Sequence, residues 1–213
     1  ARSPAGTLDG SFGGQISYAL GEQARVDRGR RSAQASGGHS GRCRPVSKAD
    51  IPASEAQEAL APARRMADQL AFLREIDKVK QIFRLTYLLD ASRRENDSEH
   101  SWELALMAMV LSESGPEGLD VSRVLRMVLL HDVVEIDPGD VSVYDLQARK
   151  AKQAEEQACA ERVFGLLPED QGREFRALWE EFEARRSPEA RFAKALDRLQ
   201  PLLHNYLTRG KAW

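Results

Sequence analysis

Residues 128–135 have the sequence Val128-Leu129-Leu130-His131-Asp132-Val133-Val134-Glu135. An apolar run ends at a His-Asp pair, resumes with two valines and then reaches a carboxylate. Burying an unpaired carboxylate costs several kcal/mol, a large part of the about 5–15 kcal/mol that stabilises a whole domain. Asp132 therefore needs a strong partner. His and Asp are common metal ligands, so a metal ion is one candidate, and a His-Asp pair capping a core helix is the other.

The composition is typical of a globular protein with one domain. The chain has 213 residues, of which 42% are hydrophobic and 30% charged, with a formal net charge of −2. This charge gives no global indication of a nucleic acid or an anionic membrane as a partner. No apolar run approaches the roughly 18 residues of a spanning helix. Cys43 and Cys159 lie far apart and form no metal or disulfide motif, which favours a free Cys159 thiol in the reducing cytoplasm.

Residues 1–52 differ in composition from the rest of the chain. They are rich in Gly, Ser and Arg, with eight Lys/Arg against four Asp/Glu. Such a segment buries too little apolar surface to offset its ordering entropy, so we predict disorder. A flexible tail, a transit peptide or an accidental upstream translation would each fit. The chain begins with Ala1 and stops at Trp213, soon after an unfinished helix, so we expect a fragment whose domain spans residues 53–213.

Helical periodicity dominates from about Ser54, and an all-α fold is predicted. No segment alternates convincingly with a period of two residues, and residues 90–97 are predicted as a polar loop. Residues 102–111 are apolar on almost every side, which indicates a central buried helix. The predicted helices cover residues 56–76, 78–89, 102–111, 124–130, 143–167 and 169–185, followed by a last helix from Ser187-Pro188.

Helix caps follow from the same patterns. Asp97 or Ser98 is expected to begin the helix that carries His100, and Asp120 or Ser122 the next one. The last helix begins with Ser187 as cap and proline at its first position. Its apolar stripe consists of Phe192, Leu196, Leu199, Leu202, Leu203 and Tyr206. Asp197 lies off this stripe, on the side of His204, and its own position indicates a solvated or salt-bridged carboxylate.

The possible metal ligands lie at neighbouring helix ends. His100 is at the start of one buried helix, and His131 and Asp132 are at the end of the next. Antiparallel neighbouring helices bring such ends together. Glu135 follows His131 by four residues, so it would share its face if the helix continued.

Three segments resemble the HD-domain metal-dependent phosphohydrolases, and most of all their 5′-deoxynucleotidase branch. The segments are residues 93–102, 129–140 and 193–201, in the order expected of that family, and the similarity starts at about residue 65. The resemblance implies a helical bundle of about six or seven helices around a metal site. It also implies site residues: the metal ligands His100, His131, Asp132 and Asp197, the catalytic carboxylates Glu135 and Asp140, and the substrate-binding Arg84. Trp102 and Arg94 match positions of structural or rim residues, and His204 is expected to be a satisfied helix histidine.

These residue types suit phosphate chemistry. A His₂Asp₂ set accommodates Co²⁺, Mn²⁺, Fe²⁺ or Zn²⁺, with Mg²⁺ a further candidate. A bound metal can acidify a water and polarise a phosphoryl oxygen, and a nearby carboxylate can move the proton. The guanidinium fork of Arg fits phosphate.

The resemblance favours hydrolysis of deoxyribonucleoside 5′-monophosphates, with a possible homodimer as the assembly. Another HD-type phosphodiesterase or pyrophosphohydrolase is the alternative among enzymes, although the short chain leaves little room for a regulatory domain. A metal-binding scaffold without activity is a third hypothesis, and the retention of all four ligand types disfavours it.

Overall fold

The computed structural model describes residues 53–139 and 146–212. The chain divides into two units, Ala1–Leu70 and Ala71–Trp213. The first helix crosses this division, and in the first unit the described residues are helical. The predicted domain boundary at residue 53 stays a prediction, because residues 1–52 lie outside the described ones.

Six α-helices account for most of the described residues, which confirms the all-α prediction. The elements in chain order are α1 (Ala53–Ile76), a 3₁₀ helix (Asp77–Gln81), β1 (Phe83–Tyr87), β2 (Arg94–Asn96), α2 (Asp97–Leu111), a 3₁₀ turn (Ser112–Ser114), α3 (Val121–Leu130), a 3₁₀ helix (His131–Ile136), α4 (Leu146–Phe164), α5 (Glu169–Ala184) and α6 (Pro188–Leu207). Among the described residues, no helix has both the length and the apolar character needed to cross a bilayer.

The core of the second unit is built around α3, which packs against α2, α5 and α6. Asp120 caps α3 by accepting a hydrogen bond from the Arg123 amide, as predicted. Val124, Met127 and Val128 on its inner face are fully buried. The apolar face of α3 therefore places its last residue, and the His-Asp pair that follows, inside the protein.

The helix predicted over residues 78–89 is wrong. The chain forms a short 3₁₀ helix and then β1, which pairs antiparallel with β2. The segment predicted as a polar loop thus contains a strand. Side chains in β1 alternate, with Phe83 and Leu85 exposed and Thr86 buried. Five residues of alternation are too few to identify a strand without knowing its partner.

The start of α2 also differs from the prediction. Asn96 is the cap: its side chain accepts from the Glu99 amide, and the Glu99 carboxylate accepts from the Asn96 amide. This reciprocal pair is a capping box. It leaves Asp97 completely buried at the first helical position, which matters for the site. The prediction that α2 is buried on every side is wrong as well, since Trp102, Met109 and Val110 are exposed.

The second half of the last helix faces the opposite way from its predicted apolar stripe. Ser187 and Pro188 begin α6 as predicted, and Leu196 is buried. Beyond it the apolar side chains face outward, while the polar side chains face inward. The exposed ones are Leu199, Leu202, Leu203 and Tyr206, and the buried ones are Gln200, His204 and Asn205. Polar contacts, not apolar area, orient this part of the helix.

Candidate metal centre

Three elements bring the predicted ligands together. His100 lies in the first turn of α2, where the capping box fixes the start of the helix. His131 and Asp132 begin the 3₁₀ helix that follows α3. Asp197 lies in the middle of α6, four residues before Pro201, which lacks the N–H that would bond to the Asp197 carbonyl. The structure thus places the four residues in one cluster.

The two imidazoles direct their Nε2 atoms toward the two carboxylates. His100 Nε2 lies 3.1 Å from Asp197 Oδ1 and 4.0 Å from Asp132 Oδ2. His131 Nε2 lies 3.0 Å from Asp132 Oδ1 and 3.6 Å from Asp197 Oδ1. One ligand atom from each of His100, His131 and Asp132 falls within 4.8 Å of the others. Two nitrogen and two oxygen donors of this kind form a suitable set for a first-row divalent ion.

His131 provides the clearest sign that a cation fits here. Its Nδ1 lies 2.8 Å from the Val128 carbonyl, which can only accept, so Nδ1 carries a proton and donates it. Nε2 is buried and, despite its proximity to Asp132, makes no well-aligned hydrogen bond. A buried polar atom without such a bond needs an explanation. A cation on Nε2 supplies one: a proton in the metal-free protein, or a metal ion bound by the Nε2 lone pair, for which a backbone carbonyl on the opposite nitrogen is the usual support.

The electrostatics of the cluster agree with a bound cation. Burial lowers the pKa of His131, but the Asp132 and Asp197 carboxylates outweigh it and raise that pKa to about 10. Burial raises the pKa of Asp132, yet the neighbouring His131 and Arg84 charges lower it overall. Burial and the Arg84 charge lower the pKa of His100, which favours its neutral form. Without a metal the carboxylates therefore hold a proton on His131, and a divalent ion can take the place of that proton.

Arg84 lies beside this cluster, and its predicted role in binding the substrate stays a prediction. Its Nη1 donates to Asp132 Oδ2 at 2.8 Å and to Asp97 Oδ1 at 3.1 Å. The side chain belongs to β1 and is mostly buried. The hairpin therefore holds a permanent positive charge next to a predicted metal ligand, where it could face an anionic substrate.

Of the two predicted catalytic carboxylates, the structure describes Glu135 but not Asp140. Glu135 is buried in the same 3₁₀ helix as His131 and Asp132. The expected alignment with His131 is wrong, because with three residues per turn Glu135 lies about 120° around the axis from it. Its catalytic role stays a prediction. Asp140 lies outside the described residues.

Several polar residues at the site were missed from the sequence. Lys194 Nζ lies 2.9 Å from Asp197 Oδ2 and 4.5 Å from the centroid of the Phe182 ring. Gln200 accepts at its Oε1 from the other nitrogen of His100, Nδ1, at 3.2 Å. Both residues are three positions from Asp197, and this spacing on a helix was the available signal. No comparable signal marked Asp97 and Glu95 in the sequence, because their burial depends on the β1–β2 hairpin.

His204 is a satisfied helix histidine, as predicted. Its Nδ1 donates to the Tyr87 carbonyl at 2.9 Å, and its Nε2 lies 3.0 Å from Glu103 Oε2. Glu95, Glu103 and His204 form a second cluster of possible ligand atoms. The Nε2 of Gln200 lies within hydrogen-bond distance of all three residues.

The chain is similar in sequence to one protein family and to relatives that share a name. The model of a family described as HD domain matches residues 76–213. A human protein named 5′-deoxynucleotidase HDDC2 is 34% identical over 63% of this chain and 65% of its own length. The mouse protein of that name is also 34% identical, over 68% of this chain and 72% of its own. This chain thus spans about two thirds of the length of these relatives.

A solved structure is more similar still. The crystal structure from Magnetospirillum magnetotacticum MS-1, described as a predicted metal-dependent phosphohydrolase, is 54% identical in sequence. It superposes with a TM-score of 0.68, over 71% of this chain and 76% of that one.

Proposed function

We propose that this chain, which belongs to the HD domain family, is a metal-dependent phosphohydrolase that releases phosphate from deoxyribonucleoside 5′-monophosphates. The observation that carries the proposal is the convergence of His100, His131, Asp132 and Asp197 from three elements. The relatives named 5′-deoxynucleotidase support the choice of substrate. The Magnetospirillum structure supports the broader reaction class.

The four converging side chains would hold a divalent ion, with Co²⁺, Mn²⁺, Fe²⁺, Zn²⁺ and Mg²⁺ as candidates. Such an ion supplies Lewis acidity, which lowers the pKa of a coordinated water and polarises a phosphoryl oxygen. The Val128 carbonyl keeps the lone pair of His131 Nε2 directed into the site. Arg84 would bind the phosphate of the substrate, because its guanidinium is anchored to Asp97 and Asp132 beside the ligands.

The acid–base roles fall to Glu135 and Asp140 in this proposal. Glu135 would orient the attacking water and accept its proton, and Asp140 would deliver a proton to the leaving 5′-oxygen. The burial of Glu135 in the 3₁₀ helix that bears two ligands supports this assignment. A positioned group of this kind contributes about 10²–10⁴-fold in rate.

Phosphate release from a nucleotide panel tests the proposal. The panel contains deoxy- and ribonucleoside monophosphates, cyclic nucleotides and triphosphates, each assayed with several divalent ions. We expect metal-dependent turnover of the deoxyribonucleoside monophosphates. Asp132→Asn should abolish this turnover. Asp120→Asn is the matched control and should keep it, since Asn caps a helix as well as Asp does.

The same panel separates the alternatives. Turnover confined to cyclic nucleotides or triphosphates would assign the site to a phosphodiesterase or a pyrophosphohydrolase. Metal binding without turnover of any panel member would favour the scaffold. Selectivity for dAMP over AMP would follow from a steric wall against the 2′-hydroxyl. Equal rates for the two would remove the deoxynucleotidase assignment and leave the phosphohydrolase one.

We also propose a homodimer. Large apolar side chains are exposed along α2 and along α6, and such patches commonly mark protein interfaces. The exposed residues are Trp102, Leu106, Met109 and Val110 on α2, and Leu199, Leu202, Leu203, Tyr206 and Leu207 on α6. Light scattering of the purified chain should give the mass of a dimer, and Val110→Glu should reduce it to that of a monomer. A monomeric wild-type chain would refute the proposal.

A cytoplasmic location completes the proposal. The support is Cys159, which is a free cysteine, as predicted from its isolation in the sequence, and which is also buried. Unpaired thiols are typical of reducing compartments. Fractionation of cells that express a tagged chain would place it.

A further inference from the structure

The buried amide of Gln200 is surrounded by three side chains. One belongs to β2, one to α2 and one to α6, the helix of Gln200 itself. Its Nε2 lies 2.7 Å from Glu95 Oε1, 2.8 Å from Glu103 Oε2 and 3.0 Å from His204 Nε2. Gln200 itself is fully buried. We call Glu95, Glu103, Gln200 and His204 the amide cluster.

The amide cluster resembles a cation site, but its centre is already occupied. Glu95, Glu103 and His204 offer ligand atoms within 4.8 Å of one another. The Gln200 nitrogen lies at 2.7–3.0 Å from all three, where a cation would otherwise lie. An amide nitrogen donates two hydrogens and accepts none. Glu95, Glu103 and His204 therefore surround the neutral amide of Gln200 and leave no room for a metal between them.

The carboxylates also determine which way the amide faces. Burial raises the pKa of Glu95 to about 7, so the Glu103 carboxylate decides the orientation: if the amide were rotated by 180°, its oxygen would replace the donor that lies 2.8 Å from Glu103 Oε2 and would face another acceptor. The observed orientation directs the oxygen of Gln200 at His100 Nδ1, 3.2 Å away. An amide oxygen can only accept, so Nδ1 of His100 must carry the proton. The lone pair of His100 is then on Nε2, which faces Asp132 and Asp197.

Two adjacent turns of α6 thus contact both nitrogens of one imidazole. Asp197 lies next to Nε2, and Gln200, three residues later, next to Nδ1. His100 is fully buried, so no water competes for either nitrogen. The inward rotation of the polar face of α6 gives both contacts at once.

We propose that Gln200 is a positioning residue for the metal centre: with its two amide hydrogens directed at Glu95 and Glu103, it fixes the tautomer and the ring orientation of His100 so that Nε2 binds the metal. This inference rests on the metal site of the proposed function, although not on the identity of the substrate. Partners of this kind commonly change metal affinity by about 10–100-fold when they are removed.

Metal titration of Gln200→Met provides the first test. Methionine has a similar length and cannot hydrogen-bond strongly. Zn²⁺ affinity is measured by competition with a chelator, on metal-free protein whose folding has been checked by circular dichroism. We expect the variant to bind Zn²⁺ about 10–100-fold more weakly than the wild type. The matched control is Asn205→Leu, which removes another buried amide of α6 that donates to the Pro201 carbonyl. It should keep wild-type affinity.

Imidazole NMR provides a second test that needs no variant to fold. In Zn²⁺-loaded wild-type protein labelled with ¹⁵N, the His100 ring should show a protonated Nδ1, protected from exchange, and a metal-bound Nε2. A His100 that binds zinc through Nδ1, or whose Nδ1 exchanges freely, would overturn the inference. So would a Gln200→Met variant that folds and binds zinc as tightly as the wild type. If the wild type bound no metal at all, the proposed function would fail as well, so the two failures are distinguishable.

Discussion

His131 and Asp132 form a charged pair inside an apolar core, and each is explained by its immediate contacts. The Val128 carbonyl accepts from Nδ1 of His131, and Arg84 donates to Asp132. Burial would otherwise penalise both residues heavily. The pair is therefore tolerated because one element supplies the carbonyl, a second the guanidinium and a third the Asp197 carboxylate.

Metal affinity should increase with pH. In the metal-free protein the pKa of His131 is about 10, against an ordinary 6.5. Protonated His131 therefore stabilises the metal-free fold fully below pH 6.5, and this contribution is lost as pH rises through about 10. A metal must displace the proton, so affinity should rise roughly tenfold per pH unit between pH 7 and 9.

Calorimetric titration in two buffers with different ionisation enthalpies measures this coupling. It should show the release of about one proton for each metal bound. An affinity that does not change with pH after correction for the buffer would mean that binding displaces no proton from His131, and would contradict the raised pKa of His131 in the metal-free protein.

Glu135 can be separated from the ligands by a conservative substitution. Glu135→Gln should lose about 10²–10⁴-fold in kcat, because the amide cannot accept the water proton. It should keep its metal, since Glu135 is not among the converging donors. The measurements are kcat with saturating metal and metal content. Near-normal turnover would exclude Glu135 as the base and make Asp140 the next residue to test.

At the level of elements, the β1–β2 hairpin is the part of the site that sequence patterns did not predict. Apolar periodicity and capping residues predicted the positions of the helices around His131 and Asp132, and most of these predictions are confirmed. The hairpin depends on pairing between β1 and β2, which no local pattern encodes. Gln200 was also missed, because the apolar stripe of α6 predicted the opposite orientation for its polar face.

Arg84 tests the role of the hairpin. Arg84→Lys keeps the positive charge of the side chain but loses the planar fork. Losing one charge-assisted hydrogen bond costs about 1.5–3 kcal/mol, so kcat/KM should fall roughly 10–100-fold, mostly through KM. Arg94→Lys, on the exposed end of β2, is the control and should be neutral. An unchanged KM in Arg84→Lys would show that Arg84 does not contact the phosphate.

At the level of the whole molecule, residues 1–52 should be dispensable. Their composition is rich in Gly, Ser and Arg, with no periodic apolar face that could add to a core. Deleting them should leave the melting temperature nearly unchanged, and turnover as well. Differential scanning fluorimetry of the full chain and of residues 53–213 makes the comparison. A fall in melting temperature of several degrees would show that the segment packs on the domain.

We propose that phosphate release depends on one divalent ion held by His100, His131, Asp132 and Asp197. Metal-free chain titrated with Co²⁺ or Mn²⁺, with dAMP hydrolysis measured at each addition, tests it most directly. We expect activity to start near zero, to rise in proportion to bound metal and to reach its plateau at one ion per chain. Full activity in the metal-free protein, or equal activation of His131→Ala by the same ion, would contradict it.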